Sequence, residues 1–470
     1  MTSHSLARAK HPFAARFADP SLDSARGEWG VYAMDDRDRL VPPGPVEAYD
    51  SSVGLIDWID ENFDQFGDIY KASIYSGDAY VIRNLQHVRH VLQRNWQNYT
   101  KGLSIKRVEL LVGRGLISSE GELWKRQRRL VQPAFHHDVI AGLLPIITDA
   151  NTKLLKKWER AARQKTSVNI THDLSVMVLE LVLRSIFSED YDQIAPEFGI
   201  LTEESARDLH FAQAFRPLRT VVARIAGQRR AENRTCADFL GMFMEARDRN
   251  SGAAMTDGQL VTEIITLIVA GHETTALTLN WAWHLLGLNA EAEDRLAAEV
   301  GALPEDEVPD FEALAQFSYT GQIIDETLRL YPPVWLITRK ALHDDRLGDY
   351  FVPAKTEIYF SPYLIQRQPD LWKDPDRFDP GRFDPDRSPD RHPLATHPFS
   401  AGPRICIGET LARFEMQLNL IIISKRLRLR PTDARPPELA FEVNLRNKHD
   451  FIMAPQAKVL RARPRSLDHG

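Results

Sequence analysis

The segment from Thr256 to about Leu288 constrains this chain most. Thr256 is followed three residues on by Gln259, the spacing of a capping box at a helix start. From Ile264 to Ala270, apolar residues fall on nearly every face of the implied helix. A helix with no polar face must be enclosed on all sides. The segment therefore predicts a buried central helix surrounded by others. The flanking pattern agrees, being mostly helical from about residue 85 to 330. A second helix is read over Ser318–Leu330, stopped before Pro332-Pro333. A third covers about 409–427, with Leu411, Phe414, Leu418 and Ile421 on one face. Strand signals are sparse. Tyr70–Ile74 and Ala79–Ile82, joined through Ser76-Gly77, read as a hairpin, and the last 40 residues as short strands and turns. The expected fold class is mainly α with a minor β region, a single large domain over residues 41–470. Residues 1–40 read as a loosely ordered arm.

Composition narrows function more than fold. A net charge of −6 argues against a bulk nucleic-acid binder. The two cysteines, Cys236 and Cys406, cannot build a four-cysteine zinc or iron–sulfur site. No run of 18 uninterrupted apolar residues occurs, and residues 1–50 hold no apolar signal core. No membrane span is expected, and a cytoplasmic monomer is the expectation.

The sharpest chemical signal is Phe399-Ser400-Ala401-Gly402-Pro403-Arg404-Ile405-Cys406-Ile407-Gly408. Most lone cysteines are inert core filler. Here two glycines permit tight turns and close backbone approach. Arg404 brings a fixed positive charge, and a helix begins just after, its free N–H groups favouring an anionic sulfur. These features suit a metal-bound thiolate, a ligand that pushes electron density onto iron and favours O–O cleavage. The central helix adds Ala270-Gly271-His272-Glu273-Thr274-Thr275. Gly271 inside a helix costs about 1 kcal/mol against alanine, and a buried acid beside it costs more unless paired or hydrated. A functional reading explains both: Gly271 lets a ligand approach the backbone. The Thr274 hydroxyl can reach the Ala270 carbonyl and open the helix locally. Glu273 can feed protons through water. His272 reads as a packed side chain.

The cysteine loop resembles the signature of the cytochrome P-450 superfamily, Phe-x-x-Gly-x-Arg-x-Cys-x-Gly, with every fixed position matched. The central helix resembles the family's Ala/Gly-Gly-x-Asp/Glu-Thr motif. Glu326 and Arg329, three apart on one helix and 80 residues before Cys406, resemble its Glu-x-x-Arg helix. Pro380-Gly381-Arg382-Phe383 resembles the element whose arginine completes a buried charge cluster. The resemblance runs over roughly residues 40–460. It implies haem b with Cys406 as axial ligand, O2 as co-substrate, and Phe399 packed near the sulfur. It also implies haem-propionate contacts from Arg404, from the Trp124 and Arg128 pair, and from Arg339.

Three functions compete: an O2-dependent monooxygenase, a peroxide-driven or non-oxidative haem-thiolate enzyme, and a haem-binding sensor without turnover. Retention of Glu273 and Thr274 favours the first. An apolar small-molecule substrate is expected against Val269, Ala270, Val334, Trp335, Leu336 and Ile337, with Val334 nearest the haem. Terpenoid, fatty-acyl and polyketide-like molecules all suit this set. The segment from Ser188 to Thr256, 68 residues, looks short for the helices that roof such a pocket and predicts an open access channel. Only 64 residues follow Cys406, so no fused flavoprotein domain is expected. Electrons should come from a separate ferredoxin or flavodoxin with its NAD(P)H reductase. Lys125, Arg126, Arg129 and Arg413 form a candidate positive docking patch for it.

Overall fold

The computed structural model describes residues 40–75, 77–199, 211–304, 307–433 and 435–458. The expected arm lies outside them, apart from Leu40. The predicted central helix runs from Asp257 to Leu288, and both halves of the Thr256–Gln259 capping box are formed. It is long and apolar enough to cross a membrane by composition, yet its residues pack into the largest hydrophobic core. The Ile170–Phe187 helix lies along it, and the Phe211–Ala231 and Ser318–Leu330 helices pack against other stretches. The helix stays continuous through Thr274, so the expected local opening is not seen.

The Ser318–Leu330 helix ends where Pro332-Pro333 demanded. The helix after Cys406 spans Glu409–Ser424, shorter than its sequence pattern, because Leu427–Pro431 pairs as a strand. On it Phe414, Leu418 and Ile421 are buried and Leu411 is half-buried.

The hairpin forms as Ile69–Ile74 against Gly77–Ile82, with Tyr70 opposite Val81. It opens a five-stranded sheet continued by Glu357–Phe360, Ile337–Ala341 and Tyr99–Lys101. Ile337–Ala341 and Tyr99–Lys101 run antiparallel with Arg339 directly opposite Lys101. A separate two-stranded hairpin, Leu439–Phe441 with Leu445–Asn447, brings the late chain back to the central helix.

The Glu326 cluster is the structural centre of the expected motif region. Arg329 donates from Nε to Glu326 Oε2 at 2.7 Å and from Nη2 to Oε1 at 2.8 Å, both side chains fully buried. Arg382 Nε reaches Glu326 Oε1 at 3.2 Å, and the Asp379 N–H donates to the same oxygen at 2.9 Å. One carboxylate thus ties the Ser318–Leu330 helix to the turn at Pro380–Phe383.

Of the short segment expected to leave the roof open, residues 200–210 lie outside the described residues. Its described parts include the Tyr191–Phe198, Phe211–Ala231 and Phe239–Glu245 helices.

Candidate active site

Gly402 sits at φ +73°, and a Cβ there would lie 2.0 Å from the Leu92 carbonyl oxygen. Only glycine lets the cysteine loop pass so close to the His90–Arg94 segment. The loop then turns through Gly402–Arg404 and the Cys406 N–H donates to the Phe399 carbonyl at 2.9 Å. Cys406 has an exposed surface, yet burial raises its thiol pKa. Both hold for a side chain that opens onto a cleft inside the fold instead of onto bulk water. The Gly408 and Glu409 N–H groups at the start of the following helix act against that rise, as does the Arg128 charge, while the Glu409 carboxylate adds to it.

Positive charge gathers beside the loop. Arg404 pairs with Glu120, donates to the Ser119 carbonyl at 3.3 Å, and lies over the Trp124 ring at 4.3 Å. Arg128, one turn on from Trp124 in the Gly121–Val131 helix, donates to the Ile405 carbonyl at 3.1 Å. Arg339 is buried, and burial followed by the Arg404 charge lowers its pKa to about 10. Together with Trp96 and Tyr99, Arg339 and Arg404 line a small polar cavity. Lys101, absent from every sequence motif, also belongs here, and burial and Arg404 bring its pKa down to about 7. No local motif announces it. It joins the site because its strand pairs it directly opposite Arg339.

Like charges directly opposite on an antiparallel pair repel. Lys101, Arg339 and Arg404 have Glu120 among them as a counter-charge, with Glu263 acting on Lys101 as well, and Arg404 Nε is buried without a hydrogen-bond partner among the described residues. The site is therefore short of anionic acceptors. A haem fits this donor set: two propionates answer the surplus cations, and a cysteine sulfur opens onto the same interior.

The central helix supplies the other wall. Leu267, Ala270, Gly271 and Thr274 form a stripe at helical spacing that stays partly open on an otherwise buried helix, with Val269 and Glu273 beside it. Thr274 Oγ1 donates to the Ala270 carbonyl at 2.7 Å, the geometry expected from the sequence. Glu273 Oε2 accepts from Asn444 Nδ2 at 2.7 Å, a partner with no local signal in the sequence. Asn444 follows Phe441 by three residues, in the turn of the late hairpin, and only the tertiary fold brings it there. His272 is buried and held by Ser175, its pKa lowered to about 4 by desolvation, in keeping with a packed role.

Trp335, Ile337 and the basic patch depart from expectation, while Gly271 has an added role. A Cβ on Gly271 would meet Val182 Cγ2 at 3.3 Å, so this glycine also serves close packing onto the Ile170–Phe187 helix. Trp335 and Ile337 do not stand free as pocket wall. Trp335 is buried against Phe441 and donates to the Glu442 carbonyl at 2.8 Å, and Ile337 belongs to the sheet core. Leu336 is half-buried, and Val334 is exposed at 41%. The four basic residues proposed as a docking patch are already engaged. Lys125 pairs with Glu122, Arg129 with Asp248, and Arg126 holds Gln259 and the Ala254 carbonyl. Arg413 is held between Asp325 and Glu409 with little of its side chain exposed. The Glu122 and Glu409 partners are local, whereas Asp248, Gln259, the Ala254 carbonyl and Asp325 come from other segments and had no signal in the sequence.

Comparison with known proteins agrees with this geometry. The Cytochrome P450 family model matches residues 49–216 and 210–455. Cyclooctat-9-en-7-ol 5-monooxygenase of Streptomyces melanosporofaciens is 32% identical over 387 residues, spanning 78% of this chain and 83% of that protein. Cyclooctatin synthase of the same organism is 31% identical, over 79% and 85%. Among solved structures, retinoic acid bound cyanobacterial CYP120A1 superimposes with a TM-score of 0.80 at 23% identity, over 89% of this chain and 99% of that one. The match to the family model, the monooxygenase relatives and the shared fold together show that the chain is a haem-thiolate oxidoreductase of the cytochrome P450 family.

Proposed function

We propose that this enzyme inserts one oxygen atom from O2 into a bulky terpenoid-like small molecule, with haem b held through Cys406. The observation that carries the reading is the pairing of two features. A cysteine sulfur opens onto an interior cleft beside surplus cations, and a central helix keeps its Leu267–Thr274 stripe partly open. Bound haem supplies the oxygen-activating chemistry. The chain's own groups do the rest. Cys406 ligates, with Gly408 and Glu409 N–H groups and Arg128 favouring its thiolate. Arg404, Arg339, Lys101, Arg128 and Trp124 are the proposed propionate side. Phe399 packs beside the sulfur.

Thr274 and Glu273 are assigned to proton management, because reductive cleavage of dioxygen consumes protons. Glu273 is held by Asn444, and Thr274 is anchored on Ala270 with its oxygen still able to accept. This pair favours O2-driven over peroxide-driven turnover. Leu267, Val269, Ala270 and Val334 are the proposed apolar contacts. The terpenoid-like class is supported by the two cyclooctatin-named relatives. Electrons are assigned to a separate ferredoxin or flavodoxin and its reductase.

The test is spectral and chemical. A diterpenoid alcohol should blue-shift the Soret band of the haem-loaded protein and yield a hydroxylated product with a surrogate ferredoxin and reductase. Thr274→Ala should keep that shift but lose product per NAD(P)H. Positioned acid–base groups contribute about 10²–10⁴-fold. Unchanged product per NAD(P)H in the variant would remove Thr274 from proton delivery. A shift given only by fatty acids would move the substrate class.

A further inference from the structure

Arg413 touches both flanks of the cysteine loop. Its guanidinium lies 5.2 Å from the centre of the Phe399 ring, and the Phe399 carbonyl accepts the Cys406 N–H. Its Nε lies 3.1 Å from Glu409 Oε1, and Glu409 is the third residue after Cys406, at the start of the helix that follows it. Its Nη1 lies 2.8 Å from Asp325 Oδ1 on the Ser318–Leu330 helix. The Arg413 side chain is 11% exposed, Glu409 19% and Asp325 30%, so the pair with Glu409 is the more enclosed of the two. Two carboxylates and one cation leave the group one negative charge in excess beside the cysteine loop.

We propose that Arg413 is a positioning residue for the thiolate ligand. It fixes the Phe399 ring and screens the Glu409 carboxylate from the sulfur, and so sets the reduction potential of the bound haem. The physical reason is electrostatic. One-electron reduction adds a negative charge at the metal, and an unscreened carboxylate nearby opposes it, most strongly where solvent is excluded. A guanidinium is suited to the task because it pairs with carboxylates and stacks on an aromatic face at once. The inference rests on Cys406 as the ligand, which the Cys406→Ala carbonyl spectrum tests separately.

The experiment is a spectroelectrochemical titration of haem-loaded wild type, Arg413→Gln, Arg413→Lys and Glu409→Gln. Arg413→Gln should shift the potential to more negative values while the reduced carbonyl complex keeps its thiolate-type band. Arg413→Lys should recover part of that shift, because it restores charge without the planar stack. Glu409→Gln should shift the potential the other way. If Arg413→Gln fails to fold or to hold haem, the Lys and Glu409→Gln variants still decide the matter. An unmoved potential in Glu409→Gln, or in an Arg413→Gln that holds haem, overturns the proposal.

Discussion

Cys406 and Cys236 differ in what surrounds them, and that difference is testable residue by residue. Cys406 opens onto the interior cleft with helix-start N–H groups and Arg128 beside it, whereas Cys236 is half-buried in the segment before the Phe239–Glu245 helix. Cys406→Ala should abolish the red-shifted carbonyl band of the reduced protein, and Cys236→Ala should leave it in place. The reverse pattern would reassign the ligand. A second residue carries a pH signature. Glu415 is buried, and desolvation raises its pKa from 4.5 to about 8. The folded state therefore holds this proton across a range in which the unfolded chain has released it. Stability contributed through Glu415 falls as pH rises from 4.5 to 8. Glu415→Gln cannot ionise, so its stability relative to wild type should grow across that window and show no gain below it. Urea midpoints measured at several pH values would read this, and a pH-independent difference would contradict it. The cysteine was legible in sequence because its neighbours are local. Glu415 was not, because its shift comes from atoms of other segments.

At the scale of elements, the Ser318–Leu330 helix is held to the turn at Pro380–Phe383 by one carboxylate. Glu-x-x-Arg alone is a common surface pair, and exposed pairs contribute little. Here Glu326 and Arg329 are wholly buried, and Arg329 also caps the Gln366 and Pro375 carbonyls. Arg329→Leu should cost about 3–5 kcal/mol, the range for leaving a buried charge short of its partner. Chemical denaturation of the haem-loaded protein measures this, and a loss below about 1 kcal/mol, the value of a surface pair, would mean that the cluster is solvated. Helix ends were readable from local chemistry, as Thr256 with Gln259 and Leu330 before the double proline demonstrate. The end at Ser424 was not, since strand pairing of Leu427–Pro431 with Ile452–Ala457 decided it.

For the whole molecule, the surplus of cations around Lys101, Arg339 and Arg404 has a thermodynamic consequence. A ligand that supplies two carboxylates and takes a thiolate binds the native state alone, so it adds to stability by mass action. Protein prepared without haem should melt at a lower temperature in calorimetry, and added haem should raise the midpoint in a concentration-dependent way. Arg339→Gln should narrow that gap by weakening haem retention. Equal midpoints with and without haem would show that the cation cluster is satisfied by the chain itself. The sequence by itself determined the mainly helical class, the buried central helix, the cysteine loop and the Thr274–Ala270 contact. Each of these depends on residues within about one helical turn or one tight loop, where spacing fixes geometry. Tertiary structure alone decided that Lys101 faces Arg339, that Asn444 holds Glu273, that Gly271 packs onto a neighbouring helix, and that Arg413 is paired with Asp325 rather than displayed. These depend on segments from tens to hundreds of residues apart, and charge pairing and burial at such contacts are settled only when the chain has closed on itself.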